Sequence, residues 1–480
     1  MMSQIRPLLL YSLSSLLNMK FILLVTLLSS LVATHLSAAE APRPNIVYFL
    51  VDDLGHTDVG FTGGKDIKTP NIDKLAKSGA ILDSYYVQPV CSPTRSALLT
   101  GRYVIHTGVY SIVRPGAPWG LPLAERTLAN ALSDAGYATA ITGKWHLGEF
   151  ESAYTPTHRG FAKQYGHMFG AIDYFTHMRD KKHDWYRDDK EVKEEGYSTH
   201  LVAKEACQLI KGKPSDQPLF LYVPFNGVHA PMQVPDSYKQ AYPNLSGARQ
   251  SLAGMLAAVD EAIGQITAAL EEKGLLNNTL IIFSSDNGGP SPGRVTMNTP
   301  LRAGKGTIYE GGVRVCAFAT WPGHIPAGTT VKEPIHAVDW YPTLLKVSGA
   351  PKEQKLPLDG LDIMPVLTEN AKSPHDAILL HGTRPGVAAI RMGDWKLLVN
   401  ASQVDAEEVA EEKAASLSSG KVELYNLKDD ISETKDLAAA QPEKVKELRA
   451  RLDAMLKDAV EPGSGPLKQK KAKKQKSDSK

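Results

Sequence analysis

Cysteine is scarce in this 480-residue chain: there are three, Cys91, Cys207 and Cys316. An odd number without framework spacing argues against a disulfide scaffold and leaves at least one thiol to be explained. Charge imbalance is missing too. The 54 Lys and Arg against 52 Asp and Glu give a formal net charge of +2, so nothing in the total points to nucleic acid. No good membrane span appears either. The apolar run Phe21–Val32 is too short and lies close to the small residues Ser37, Ala38 and Ala39, the pattern of a cleavable export signal with no stable span left in the mature protein. Internal repeats are absent as well, which sets aside a repeat architecture.

What is present is ordinary globular composition, 42% hydrophobic, and enough length for one large α/β domain and a smaller one. Residues 1–39 are expected to be a signal peptide, with Met19 ahead of Lys20 as an alternative start, and the mature protein to be periplasmic or secreted. A large domain is expected over 40–370, a small C-terminal α+β subdomain with an antiparallel sheet over 371–460, and a disordered tail over 461–480. The tail sequence "PLKQKKAKKQKSDSK" carries the positive excess, so the folded part is close to neutral.

Apolar runs recur at "NIVYFLVDD" (45–53), "YATAITGKWH" (137–146), "PLFLYVPFNGVH" (218–229), "LIIFSSDNGG" (280–289) and "VRVCAFATWPG" (313–323), each ending in polar or glycine-rich residues. These read as buried strands. Helical patterns lie between them, clearest over 123–136 and 246–274, so the expected fold is α/β, a large mostly parallel sheet covered by helices on both faces. In such a sheet ligands sit beyond the C-terminal strand ends. The chemistry-bearing residues gather at that address: Asp52 and Asp53, Lys144 and His146, His229, Asp286 and Asn287. Late in the chain, "AAIRMGDWKLLVN" (388–400), "KVELYNLKDD" (421–430) and a helical 442–459 suggest the smaller unit.

Asp52, Asp53, Asp286 and Asn287 offer oxygen ligands suited to a hard divalent cation, calcium ahead of magnesium. Taken singly, "VDDLG" is a helix cap or turn and "SDNGG" a turn. Arg95 has the planar fork that grips tetrahedral oxyanions, and Lys144 and Lys305 are compact cations. His146 and His229 titrate near neutrality and can relay protons, although an isolated histidine is more often a packing residue. Cys91, in "VQPVCSPTRSALLTGR" (87–102), has a cation and a helix start nearby, as an activated thiolate would. In an exported protein a free reactive thiol is an oxidation liability.

"CSPTRSALLTGR" (91–102) and "GKWHLG" (143–148) resemble the two signatures of the type I, formylglycine-dependent sulfatases, and the likeness extends through "VDDLG", "SDNGG", "PLRAGKGTIYEGGVRV" (300–315) and "ELYNLKDD". It spans roughly residues 44–440. "PTHRGFAKQYGHMFGAIDYFTH" (156–177) and the Lys305 segment look most like the arylsulfatase B branch, with Ala162 standing where an aspartate often follows R-G-F. The resemblance implies an alkaline-phosphatase-like sandwich and an enzyme that hydrolyses sulfate esters. It implies conversion of Cys91 to formylglycine by a formylglycine-generating or anaerobic sulfatase-maturing enzyme that reads Pro93 and Arg95. The aldehyde hydrates to a geminal diol: one oxygen attacks sulfur, the other expels sulfate as the carbonyl re-forms. Calcium would be held by Asp52, Asp53, Asp286, Asn287 and residue 91. Arg95 would steady the diol, Lys144 and Lys305 would hold sulfate oxygens, His146 would take the proton on collapse, and His229 would protonate the leaving oxygen.

The branch resemblance points to a sulfated glycan, 4-sulfated galactose or N-acetylgalactosamine, with His158, Arg159, Asp173, Tyr174 and His177 as loop candidates for substrate contact. Two alternatives remain at this stage. One is a phosphonate monoester hydrolase or phosphodiesterase of the same superfamily; the other is an inactive sulfatase-like binding protein.

Overall fold

The computed structural model describes residues 43–351, 354–402 and 420–463. The expected signal peptide and nearly all of the lysine-rich tail lie outside them. Among the described residues the main sheet has ten strands: β1 (Asn45–Val51), β2 (Ala80–Leu82), β3 (Ala138–Lys144), β4 (Lys163–His167), β5 (Tyr186–Arg187), β6 (Lys190–Glu191), β7 (Leu219–Pro224), β8 (Thr279–Ser285), β9 (Ala317–Thr320) and β10 (Thr329–Val331). Their order across the sheet is β10-β2-β9-β8-β1-β7-β3-β4-β5-β6.

The five central strands, β8 to β4, are all parallel. β9 runs antiparallel to β8, β2 antiparallel to β9, and the β5–β6 hairpin antiparallel to β4. The expected mostly parallel sheet is therefore its centre, and the flanks make it mixed. Every residue of β1 is buried, as a strand covered on both faces requires. Alternate side chains serve opposite layers. Val47 and Phe49 pack with Leu221 and Phe283 beneath helix α4 (Ser198–Gly212) and helix α5 (Gly247–Glu272). Tyr48 and Leu50 pack with Leu98, Leu132 and Leu344 on the other face.

α5 buries Leu252, Met255, Leu256, Val259, Ile263, Ile266 and Leu270; the three- and four-residue spacing gives one apolar stripe. On the opposite face lie α2 (Cys91–Thr100), α3 (Leu128–Asp134) and α6 (Trp340–Ser348), while α1 (Pro70–Lys77) packs on the α5 side. α3 starts five residues later than its apolar pattern suggests. Thr127 closes a capping box with Asn130 there, each side chain accepting the other's backbone N–H at 3.1 Å, and a satisfied cap outweighs a marginal first turn. α2 begins at Cys91 and stops at Gly101, whose φ of 68° is the left-handed C-cap that glycine accepts freely.

The four-stranded antiparallel sheet, β11 (Ile378–His381), β12 (Ala388–Met392), β13 (Trp395–Val399) and β14 (Val422–Asn426), carries α7 (Pro442–Met455) on one face. Leu379, Ile390, Leu397 and Leu424 meet Leu448 and Leu452 there. The other face, with Leu380, Leu398 and Tyr425, packs on Tyr86, Ile308, Tyr309 and Val313. Lys396 is fully buried between these layers and holds Glu310 at 2.8 Å and Glu433 at 3.0 Å. Burial alone would raise the Glu310 carboxyl; Lys396, Arg314 and Arg391 overcome it and pull it down to about 2. The segment that carries Lys305 is thus locked to the small sheet.

Candidate active site

Each polar group expected at a strand end is found there. Asp52 and Asp53 follow β1, Lys144 closes β3 with His146 two residues on, His229 lies five beyond β7, and Asp286 and Asn287 follow β8. Cys91 opens α2 beside them. Asp53 and His146 have φ of 61° and 59°, left-handed conformations that cost a side chain about 1–2 kcal/mol. Cross-links hold both: Asp53 N–H donates to Asp286 Oδ1 at 3.2 Å, His146 N–H to the Met168 carbonyl at 3.0 Å, and Ser92 Oγ to the His146 carbonyl at 2.8 Å.

Three carboxylates face three cations. Arg95, with no exposed surface, donates Nη2 to Asp286 at 2.7 Å and to Asp52 at 3.3 Å, and Nη1 to the Lys144 carbonyl at 3.1 Å. Lys144 Nζ reaches Asp52, and Lys305 Nζ lies 3.1 Å from Asp53. The set is neutral, so an added divalent cation would make it attractive to anions. Burial raises Asp286 to about 6, with the Asp52 charge adding to it and Arg95 opposing. At Asp53 burial is overcome by Lys305, His229 and the Asn287 amide, leaving it at about 2. Burial also pushes the Cys91 thiol up to about 11 against the pull of Lys144, so as a thiol this residue is a poor nucleophile at neutral pH.

Two oxygens in this set, Asp52 Oδ1 and Asn287 Oδ1, are buried without a hydrogen-bond partner. Each such orphan costs about 1–3 kcal/mol. The Asn287 amide nitrogen donates to Asp53 at 2.7 Å, which leaves its carbonyl oxygen free to ligate. Ligand atoms of Asp52, Cys91 and Asp286 all lie within 4.8 Å of one another. Oxygen donors of this kind fit a hard cation.

His229 Nδ1 is 2.6 Å from the Ala230 carbonyl, so Nδ1 carries the proton. Nε2 then presents its lone pair to Lys305 Nζ at 3.3 Å. Burial lowers this histidine to about 4 despite Asp53, and burial with Lys144 and Arg95 holds His146 well below the usual imidazole range. Both are neutral bases in the resting site.

Cys91, His146 and His229 open into a cleft of about 200 Å³ walled by Ile112, Val113, Arg114, Pro115, Gly170 and Arg179. The loop candidates read from sequence are not among these lining residues. Arg159 donates to the carbonyls of Leu121, Pro122 and Glu125 at 2.8, 3.1 and 2.9 Å. His177 is buried on Trp185, ring centroids 4.4 Å apart. His158 bonds Thr155 and Thr157 hydroxyls at 3.1 Å. Asp173 accepts from Phe175 and Thr176 N–H and from Gln233. Tyr174 donates its hydroxyl toward the carbonyls of Asn226 and His229, both at 2.7 Å, and so fixes the His229 segment.

Sequence reasoning missed Arg114, Gly170 and Arg179, which stand in short irregular segments and a two-residue strand without periodicity. Gly170 is required by space: a Cβ there would stand 2.4 Å from His146 Nε2. Gly170→Ala is expected to push the imidazole aside and lower kcat about a hundredfold, with KM changed far less, since a displacement near 1 Å has that effect. Steady-state kinetics alongside the thermal melting curve checks it; an unchanged kcat would mean that His146 is not held by this contact.

A profile of the family described as Sulfatase matches residues 44–350. The chain is 38% identical over 464 residues to "Arylsulfatase J" of Mus musculus, covering 88% of this chain and 77% of that protein. It is 32% identical over 396 residues to "N-acetylgalactosamine-6-sulfatase" of Mus musculus, covering 77% and 75%. Among solved structures it is similar to Ps i-CgsB in complex with k-i-k-neocarrahexaose, with TM-score 0.80 and 34% identity, covering 88% of this chain and 94% of that one.

Proposed function

The chain belongs to the sulfatase family, and from that premise we propose that it removes sulfate esters from an exported glycan, using formylglycine made from Cys91 and a bound calcium ion. It is a sulfuric ester hydrolase. The observation that carries the finer reading is the strand-end cluster itself, in which two orphaned ligand oxygens and a buried thiol stand together.

Asp52, Asp53, Asp286 and Asn287 would hold the cation. Calcium, when bound, supplies positive charge that acidifies a hydroxyl at residue 91 and draws charge off the sulfate. Formylglycine supplies as its hydrate two geminal hydroxyls, one to attack sulfur and one to release sulfate. Lys144 and Lys305 hold the sulfate oxygens that gain charge as the ester bond breaks. Arg95, anchored on two aspartates, fixes residue 91. His229 turns Nε2 to the leaving oxygen; an anionic ester beside it favours the imidazolium, and Lys305 stands 3.3 Å away as the neighbouring proton donor. His146, kept neutral by burial, accepts the proton at residue 91.

For the substrate, one relative is named for N-acetylgalactosamine and one structural neighbour holds a neocarrahexaose. These support a galactose or N-acetylgalactosamine residue; the relative is named for the 6-sulfate, and the 4-position rests on the likeness of segment 156–177 to the arylsulfatase B branch alone. Export by residues 1–39 completes the proposal; among the described residues no helix is long and apolar enough to cross a membrane.

Purified protein offered paired aryl sulfate, aryl phosphate, phosphodiester and phosphonate esters is expected to release sulfate with the highest kcat/KM. Defined oligosaccharides 4-sulfated on galactose or N-acetylgalactosamine should release sulfate as well. Preference for a phosphonate or phosphodiester would overturn the reaction. Inert galacto-configured sulfates beside hydrolysed glucosamine sulfates would overturn the substrate.

A further inference from the structure

The cleft holds two cations that sulfate-ester chemistry at residue 91 does not use. Arg114 and Arg179 line it together with Cys91, His146 and His229, and no carboxylate is among the lining residues. Lys144 and Lys305 already serve the scissile sulfate. Both arginines are presented on anchored backbone. Val113 N–H donates to Ser92 Oγ at 3.0 Å and Gly116 N–H to Glu149 Oε1 at 2.7 Å, which brackets Arg114 on both sides. Arg179 lies on a two-residue strand paired with Lys182–His183, and that hairpin is tied by Asp173 N–H to the Met178 carbonyl and Asp184 N–H to the His177 carbonyl, both at 2.9 Å. Carboxylates in these segments have other partners or stand off: Glu149 accepts from Gly116 N–H, Asp184 accepts from Met168 and Phe169 N–H, and Asp180 stands 3.6 Å from Arg179 Nε.

Resting on the reading of this cleft as a sulfatase site, we infer that Arg114 and Arg179 bind a second anionic group on the substrate, a sulfate or carboxylate beyond the one that is cleaved. A guanidinium fork offers two parallel N–H donors to either group. Loops already held in place lose little entropy on binding, so two arginines here select a doubly charged saccharide over a singly charged one.

The test compares kcat/KM for three matched oligosaccharides: one with a single cleavable sulfate, one with an additional sulfate, and one with an additional uronic carboxylate. The wild type is expected to prefer at least one doubly charged substrate by about tenfold or more, the range of charge-assisted hydrogen bonds, and raising salt should shrink the preference. In Arg114→Gln and in Arg179→Gln the ratio of doubly to singly charged kcat/KM should fall toward one, mainly through KM. Which arm shows the preference identifies the second anion. No preference in either arm, or equal losses on all three substrates, would overturn the inference while leaving sulfate release intact. Failure to release sulfate from any substrate would instead overturn the reaction.

Discussion

Cys91→Ala is expected to lower kcat on an aryl sulfate by about ten-thousandfold or more, the loss found when the central covalent group of a catalytic unit is removed. Folding should survive, because the residue is small and α2 is held by nine other buried positions. Cys91→Ser separates the steps more finely. One hydroxyl can form a sulfate ester but cannot expel sulfate by collapse to a carbonyl, so this variant should release alcohol once per enzyme and then stall. A stopped-flow burst without turnover is the signature. Peptide mass spectrometry of the active wild type should find residue 91 without sulfur and carrying an aldehyde. Full activity in Cys91→Ala, or an intact thiol in a fully active preparation, would end the mechanism.

Removing the cation should have the next largest effect. Dialysis against a calcium chelator is expected to reduce kcat by about a thousandfold, since a metal at developing charge contributes several kcal/mol, and added calcium should restore it. Stability gives an independent reading. Calcium at 100 times its Kd should stabilise the fold by about 2.7 kcal/mol, seen as a rise in Tm, because Asp52 Oδ1 and Asn287 Oδ1 gain a partner. Asp286→Asn should lose that rise even where some activity remains. A metal-free preparation, verified by elemental analysis, with undiminished turnover would sink the assignment.

Much of this site was legible in the sequence because its residues follow apolar runs. "VDDLG", "GKWH" and "SDNGG" each interrupt a buried strand with polar side chains, and a parallel sheet sends all such interruptions to one edge. The four-residue step from Cys91 to Arg95 places both on one side of α2. The flanks were less legible. β2 has three residues and β4 reads "KQYGH"; neither shows a period, and both are strands because neighbours cover them. Two of the loop candidates are engaged within the fold. Arg159 and His177 have the chemistry of ligand binders, but carbonyls and Trp185 occupy them. Arg114 and Arg179 look like ordinary surface charges until the fold sets them beside residue 91.

The burial of Cys91 also constrains the order of events in biosynthesis. Its side chain is 1% exposed, and the whole of α2 is enclosed between the sheet and its covering helices. A protein catalyst that must grasp residues 91–95 directly has no access to them in the finished molecule, and opening a core helix requires something close to global unfolding. On the proposed function, conversion of residue 91 would therefore belong to the nascent or translocating chain. On that proposal, a polypeptide that closed up too early would be a well-folded but silent product, its thiol out of reach of the converting enzyme.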